Sequence, residues 1–490
     1  MPLVSLNFLG SRILRSVGTA FAPPLIFVLA LSPIRAFGLV TPDPDKPIRS
    51  YVSVLPSVED RLSAQNNLFA QQYQNDLSTS PEGKTAVGDY SDNARLDDYS
   101  LAASARQNVV DRAYLRKIRA ISAVGFPEQD RISHDLFIQV LQERIIDYEL
   151  KQYEMPLSQM GGVQSSLADL PNAVPLDSVQ HYEDYIARLR QIPRVFQQTI
   201  AVLWQGGKDG LMPPRILLDQ VPAQCQGVIA DNPFVEPAKK FPDSIHASDQ
   251  KRLTTEIDAV VRAEVLPAFQ DFADFVSKDY APHGRSTIGL SSLPDGARRY
   301  QQAIKVQTST DMTAAKIHAL GLREVARLTG LLIDLARKQG YTDLAGFRAA
   351  LNSDPKYIPK SADQIVEDFR KYVTQMQPKL SELFNAYPTA ALTVEAVPAS
   401  EPGNATHYIG GTPDGSRPAR VVVATSHYAA RRLLSDETIA YHEGIPGHHL
   451  QISMQQQLKD VPEFRKHLIN AAYAEGWAVY AEALGKKIGF

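Results

Sequence analysis

The chain has 490 residues, 44% of them hydrophobic and 21% charged, an ordinary globular composition that excludes a mostly disordered or fibrous protein. Its formal net charge is -3 with both signs mixed along the chain, so no basic surface for nucleic acid is advertised and no nucleic-acid partner is expected. A single cysteine, Cys225, excludes an intramolecular disulfide and reads as a small buried apolar residue rather than a nucleophile.

At the N-terminus, Arg12 and Arg15 precede an uncharged run from Ala20 to Ile34. This pattern predicts a secretory signal peptide over residues 1–38, cleaved after Gly38, and hence an exported protein, periplasmic or secreted. Pro23, Pro24 and Pro33 break the run, which falls short of the roughly 20 residues that span a bilayer, so no stable membrane anchor is expected after cleavage. No cysteine near the cleavage point offers a lipid attachment. Residues 39–53, rich in proline and charge from Thr41 to Pro47, read as a linker.

From residue 54 onward the pattern is largely helical. Apolar residues recur at helical spacing over Asp111 to Ala123, Pro127 to Leu150, Val179 to Gln205, Ala247 to Asp279, Thr313 to Gln339 and Ala362 to Phe384. Leu77 to Asp92 reads as a polar loop. Ser361 with Gln364 forms a capping-box pattern, and Thr313 suits the N-cap of the segment after it. No fixed-period repeat is visible, so one large mainly α-helical domain over residues 54–490 is predicted.

The one β element predicted lies between His407 and Ser426. Gly410-Gly411 and Pro413-Asp414-Gly415 signal turns, and Arg420 to Thr425 is a β-branched run that fits a strand. Two roles stand open for that strand: a free edge for an extended peptide, or a structural hairpin over the core.

Ser435 to Gln451 reads SDETIAYHEGIPGHHLQ. Ser435 is a natural N-cap, Asp436 and Glu437 place negative charge in the first turn, and Leu434 can staple onto Ile439. The helix so begun carries His442 and Glu443. The familiar zinc signature sets two histidines four residues apart on one helical face. Here the next histidines, His448 and His449, lie six and seven residues away, which in a straight helix means a rise of roughly 9 to 10.5 Å. Two nitrogens on one zinc ion stand only about 3 to 3.5 Å apart, so an unbroken helix cannot supply both. Pro446 and Gly447 predict a break that returns a histidine to the first one, and either His448 or His449 could be returned.

A third ligand is expected from Ala472 to Leu484, where Glu475 has Ala471, Ala472, Ala478 and Val479 around it, small residues that let helices approach. Glu482, seven residues on, is either a hydrogen-bond partner of a histidine ligand or a solvated glutamate.

HEGIPGHHLQ and AEGWAVYAE, with LPDG at Leu293 to Gly296, Tyr300, and TSTDMTAAKIHALGLREV from Thr308 to Val325, resemble the bacterial domain-of-unknown-function family 885, whose members resemble gluzincin metallopeptidases. The resemblance runs from about Val54 to the last residue. It implies a mainly helical metallopeptidase-like fold with a cleft, one zinc ion as cofactor, and a peptide substrate. It also implies His442, His448 and Glu475 as ligands and Glu443 as base, with His449 the alternative to His448. Glu443 would then take the proton of a water that the ion acidifies toward about pH 7. His407, Tyr408 and His427 are the donors on offer for substrate contact or oxyanion stabilisation.

Relatives carry an asparagine where the strand before the motif ends in Ala424, and they continue beyond EGWA, so a chain truncated at its C-terminus is expected. Two rivals follow: a silent relative that binds peptide or zinc without turnover, and a metal-dependent hydrolase of non-peptide amides or esters.

Overall fold

The computed structural model describes residues 56–387, 390–398 and 405–490. The predicted signal peptide and linker lie outside the described residues. Most of what is described is helix, and we label the longer helices α1 (Val58–Thr79), α2 (Leu101–Arg119), α3 (Glu128–Glu149), α4 (Val179–Leu189), α5 (Ile192–Lys208), α6 (Ala247–Val260), α7 (Leu266–Phe275), α8 (Ala314–Lys338), α9 (Ala362–Met376), α10 (Asp436–Glu443), α11 (His448–Gln456) and α12 (Ala471–Lys487). Among the described residues, no helix is long and apolar enough to cross a membrane.

The largest core cluster joins α4 to α7. Tyr182, Tyr185, Leu189, Val195 and Phe196 pack with Phe269 and Phe272, and Cys225 lies among them fully buried. Burial pushes the Cys225 thiol up to about 12, so it is an inert apolar filler, as its sequence context suggests. A second cluster holds the C-terminal part: Ile365, Phe369, Val373 and Met376 of α9 meet Val421 and Val423, Tyr441, Ile445 and Leu450.

Helix positions follow the periodicity, and the boundaries follow local chemistry. Ser361 accepts from Gln364 N–H at 3.1 Å, while the Gln364 amide oxygen accepts from Lys360 N–H at 2.7 Å, closing the start of α9. Thr313 accepts from Lys316 N–H at 3.3 Å at the start of α8. The predicted helix Val179 to Gln205 is two helices, because Pro193 in the first turn of α5 cannot continue the hydrogen-bond ladder of α4. The polar stretch Leu77 to Asp92 is not a plain loop. The end of α1 and a short helix, Pro81–Ala86, occupy its first part, and Ser80 caps the latter by accepting from Gly83 N–H at 3.0 Å. Its polar residues serve as caps, a role that composition alone does not separate from a loop.

Helix α8 forms as predicted, yet its apolar stripe stays in solvent. Leu322, Val325, Leu328 and Leu331 are exposed, and Ala336 is the residue of this helix that is buried.

The β element is larger than predicted. Three strands, β1 (Leu392–Ala396), β2 (His407–Ile409) and β3 (Ala419–Val423), form an open sheet in the order β1-β3-β2. β1 runs parallel to β3, with Val394 opposite Val421, and β2 runs antiparallel to it, with Tyr408 opposite Val421. The β-branched run is therefore the central strand, paired on both sides; of the two roles left open it has no free edge, it forms a hairpin with β2, and β1 and β2 are the edges. Side chains alternate across a strand. Tyr408, Val421 and Val394 share one face of the sheet, and His407, Val422 and Glu395 share the other.

Candidate metal centre

α10 ends at Glu443, and Gly444 closes it by donating to Ala440 O at 3.0 Å. Its start differs from the sequence reading. Ser435 makes no capping hydrogen bond, and Leu434 is exposed rather than stapled. Asp436, fully buried, is instead ion-paired with Arg431, and Leu433 joins the core in the place of its neighbour.

The chain then reverses through Ile445, Pro446 and Gly447 before α11 starts at His448. A Cβ on Gly447 would lie 1.9 Å from His442 O and 2.4 Å from Tyr441 O, so only glycine lets the two helix ends meet this closely. Trp477 of α12 holds the reversal by donating its indole N–H to Pro446 O at 2.9 Å. This break, predicted from Pro446 and Gly447, brings the His442 and His448 rings to 4.8 Å between centroids, nearly perpendicular.

α12 packs on these helices through Ala474, Ala478, Ala481 and Gly485, all buried, rather than through Ala471, Ala472 and Val479. The contact is close: a Cβ on Gly485 would meet the Tyr441 ring at 2.9 Å. Glu475 stands at the edge of this face. Its carboxylate is 3.4 Å from His442 Nε2 and 3.8 Å from His448 Nε2, and one ligand atom from each of His442, His448 and Glu475 lies within 4.8 Å of the others. These three residues could hold a metal ion. Two imidazoles and one carboxylate, with the Glu475 side chain 63% exposed, match a site with three protein ligands and one side open.

The surroundings fit that use. Glu482 Oε1 lies 2.9 Å from His442 Nδ1, so the Nδ1–H donates to it and the Nε2 lone pair is left facing Glu475. Burial, then the neighbouring His442, pull the His448 pKa below the usual imidazole range, while Glu475 opposes them; His448 is therefore held neutral, the form that ligates. Among the described residues, His448 Nδ1 is buried with no hydrogen-bond partner, and so is Oε1 of Gln451 three residues later on the same helix.

Glu443 is nearly buried, with Oε2 4.0 Å from His448 Nε2. Burial pushes its carboxyl up to about 7; His442 pulls it back, Glu475 adds to the rise, and the nearby Tyr408 backbone N–H lowers it.

His449 is not in the cluster. Its Nε2–H donates to Ala390 O at 3.1 Å, and its Nδ1 accepts from the Tyr408 hydroxyl at 3.3 Å. Both ring nitrogens are occupied, and the Tyr408 hydroxyl is thereby turned away from the three ligands. His407 sits on the opposite sheet face, beside a small cavity that Asp169 and Arg420 also line. His427, left-handed at φ 52°, is exposed. Of the three donors offered by the sequence, only Tyr408 borders the site, its ring centroid 6.3 Å from that of His448. The strand β1, Trp477 and Gln451 went unnoticed in the sequence; only the spacing of Gln451 from His448 offered a signal.

A cavity of about 800 Å³ lies between α11 and α12, lined by Phe384, Leu450, Met454, Leu458, Leu468 and Trp477 among others. A second cavity of similar volume, lined by Asp76, Tyr99 and Arg144, shares no residue with the metal cluster.

A mainly helical domain with a small open sheet, and a His-His-Glu cluster able to take a metal ion, is the class that fold and site define. Residues 81–490 match the family described as "Bacterial protein of unknown function (DUF885)", and the chain belongs to it. No curated protein matches the sequence. Two solved structures share the fold. The "putative lipoprotein from Colwellia psychrerythraea" is 22% identical with a TM-score of 0.80, over 88% of this chain and 78% of that one. A "putative lipoprotein of unknown function from Shewanella oneidensis" is 16% identical with a TM-score of 0.57, over 87% and 78%.

Proposed function

We propose that this chain is a zinc-dependent hydrolase of gluzincin type, most consistent with a peptidase, in which His442, His448 and Glu475 hold the ion and Glu443 is the general base. The observation that carries the reading is the gathering of those three donor groups beside a nearly buried carboxylate with a raised pKa.

Bound there, zinc would supply Lewis acidity toward a carbonyl and acidify a water. The protein's own groups do the rest. Glu443, with a pKa near 7, accepts a proton at neutral pH and can return it to a leaving amine. The nearby Tyr408 N–H favours its charged form. Glu482 fixes the tautomer and orientation of His442. The open side at Glu475 gives substrate access from solvent, and β2, the edge strand bordering Glu443, is the strand on which an extended peptide would pair. The two similar structures are named as lipoproteins, which accords with an exported, periplasmic or secreted protein. That reading carries over the location and not the lipid, because the cysteine of this sequence is the buried Cys225.

The test is elemental analysis of the purified protein with peptide hydrolysis assayed on the same sample. About one zinc per chain, lost in His442→Ala and Glu475→Ala, is expected. Glu443→Gln is expected to keep the metal and lose hydrolysis by about 10²-fold or more, since the base goes and the ligands stay. Equal metal in all variants would overturn the site, and a fully active Glu443→Gln would overturn the mechanism. Ester or non-peptide amide turnover without peptide turnover would move the substrate class and leave the chemistry standing.

A further inference from the structure

The cavity between α11 and α12 begins one helical turn from two of the three ligand residues. Gln451 follows His448 by three positions, Ala472 precedes Glu475 by three, and both line it. Residues three apart on a helix are surface neighbours, roughly 5–6 Å between Cβ atoms. Trp477 joins the two features physically, since its ring forms part of the wall while its N–H holds Pro446 in the reversal between His442 and His448.

The polar groups around this cavity are mostly engaged with one another. Gln455 donates to Arg465 O and Leu468 O, each at 2.7 Å, and its own amide oxygen accepts from Gln451 Nε2 at 2.7 Å. Asn470 caps α12 through Tyr473 N–H at 2.9 Å and donates to Ser309 at 2.8 Å. The Arg465 guanidinium donates to Ser133 at 3.1 Å. Apart from Gln451 Oε1 and the Arg465 guanidinium, which makes no ion pair among the described residues, most of what the wall has left to offer is carbon: Phe384, Leu450, Met454, Leu458 and the indole face of Trp477. A cationic side chain would find no acidic counter-charge among the described lining residues, whereas an aromatic or large aliphatic one would exchange water for apolar contact. A volume of about 800 Å³ is ample for one such side chain together with part of the adjoining backbone.

We propose that this cavity is a substrate subsite that takes a large apolar side chain, aromatic above all, next to the scissile bond, with Met454 and Trp477 setting the preference. The proposal rests on the hydrolase reading for the scissile bond and on the cavity alone for binding, so the two are tested separately.

Binding of N-acetylphenylalaninamide, N-acetylleucinamide and N-acetyllysinamide is measured by calorimetry, with and without chelator. The phenylalanine probe is expected to bind at least about tenfold more tightly than the lysine probe, with no dependence on metal. Ala472→Leu, which narrows the rim from a half-buried position, and Met454→Trp, which fills the interior, are each expected to weaken the aromatic probe at least about fivefold. Zinc content should be unchanged, and circular dichroism checks the fold; Ala472→Leu carries the test if Met454→Trp does not fold. No saturable binding, equal binding of the charged probe, or binding unmoved by Ala472→Leu would overturn the subsite. Selective binding of the aromatic probe without hydrolysis of any phenylalanine peptide would leave the subsite standing and count against the hydrolase reading.

Discussion

Gly447 lies against the backbone of His442 so closely that a Cβ on it would fall 1.9 Å from the His442 carbonyl oxygen. The metal cluster depends on this approach. It is what lets a histidine six residues after the first face the same point in space.

Gly447→Ala is therefore expected to push α10 and α11 apart. The clash is with backbone, which cannot rotate away, so a loss of roughly 1–3 kcal/mol in stability is expected, read from urea unfolding. Zinc content should fall in the same variant. Retention of both full stability and full zinc would show that the two helix ends are not held together as described.

Glu482 accepts from His442 Nδ1 and shares no ligand position with it. Glu482→Gln keeps an acceptor but removes the charge, and Glu482→Ala removes both. Zinc affinity, measured by competition with a chelator, should fall about 10- to 100-fold in Glu482→Ala and less in Glu482→Gln. Equal affinities in all three proteins would return Glu482 to the role of a solvated glutamate.

His448 Nδ1 and Gln451 Oε1 are two buried polar atoms without partners among the described residues, three residues apart on α11. Gln455 holds the Gln451 amide so that its oxygen is the free end. A histidine ligand donates its second N–H in almost every metal site, and Gln451 Oε1 is a buried acceptor on the same helix with no partner among the described residues. Gln451→Leu should weaken zinc binding about tenfold, and Gln451→Glu should restore it or exceed the original. The cobalt-substituted protein gives a second readout, because a reoriented ligand shifts its visible spectrum.

Cys225 is fully buried, and its thiol is pushed up to about 12 by burial. At pH 8 almost no thiolate is present in the folded chain, so a disulfide reagent should leave Cys225 unmodified until the protein is unfolded. The sign of the linkage follows from the raised value. Above about pH 9 the unfolded chain releases this proton and the folded chain does not, so stability from this group is lost as pH rises. Rapid labelling of the native protein at pH 8 would contradict its burial.

The sequence by itself determined much of the site, because the site is built from local chemistry. Periodicity placed most long helices, and the capping residues Ser361 and Thr313 placed their starts. The break at Pro446 and Gly447 was legible because the steric limits of proline and glycine act within a few residues. The acidic partner on a following helix was legible from ligand chemistry. Tertiary structure decided the rest. It selected His448 and turned His449 toward Ala390 and Tyr408, since two adjacent residues on a helix point about 100° apart and only the packing fixes which one faces Glu475. It placed β1 beside β3, which made that strand central and closed the free-edge alternative, and the register of β2 put His407 on the far face of the sheet. It also replaced the Ser435 cap with the buried Arg431–Asp436 pair and exposed the apolar stripe of α8. Each of these outcomes turns on contacts between residues distant in the chain or on burial, and neither is encoded in spacing alone.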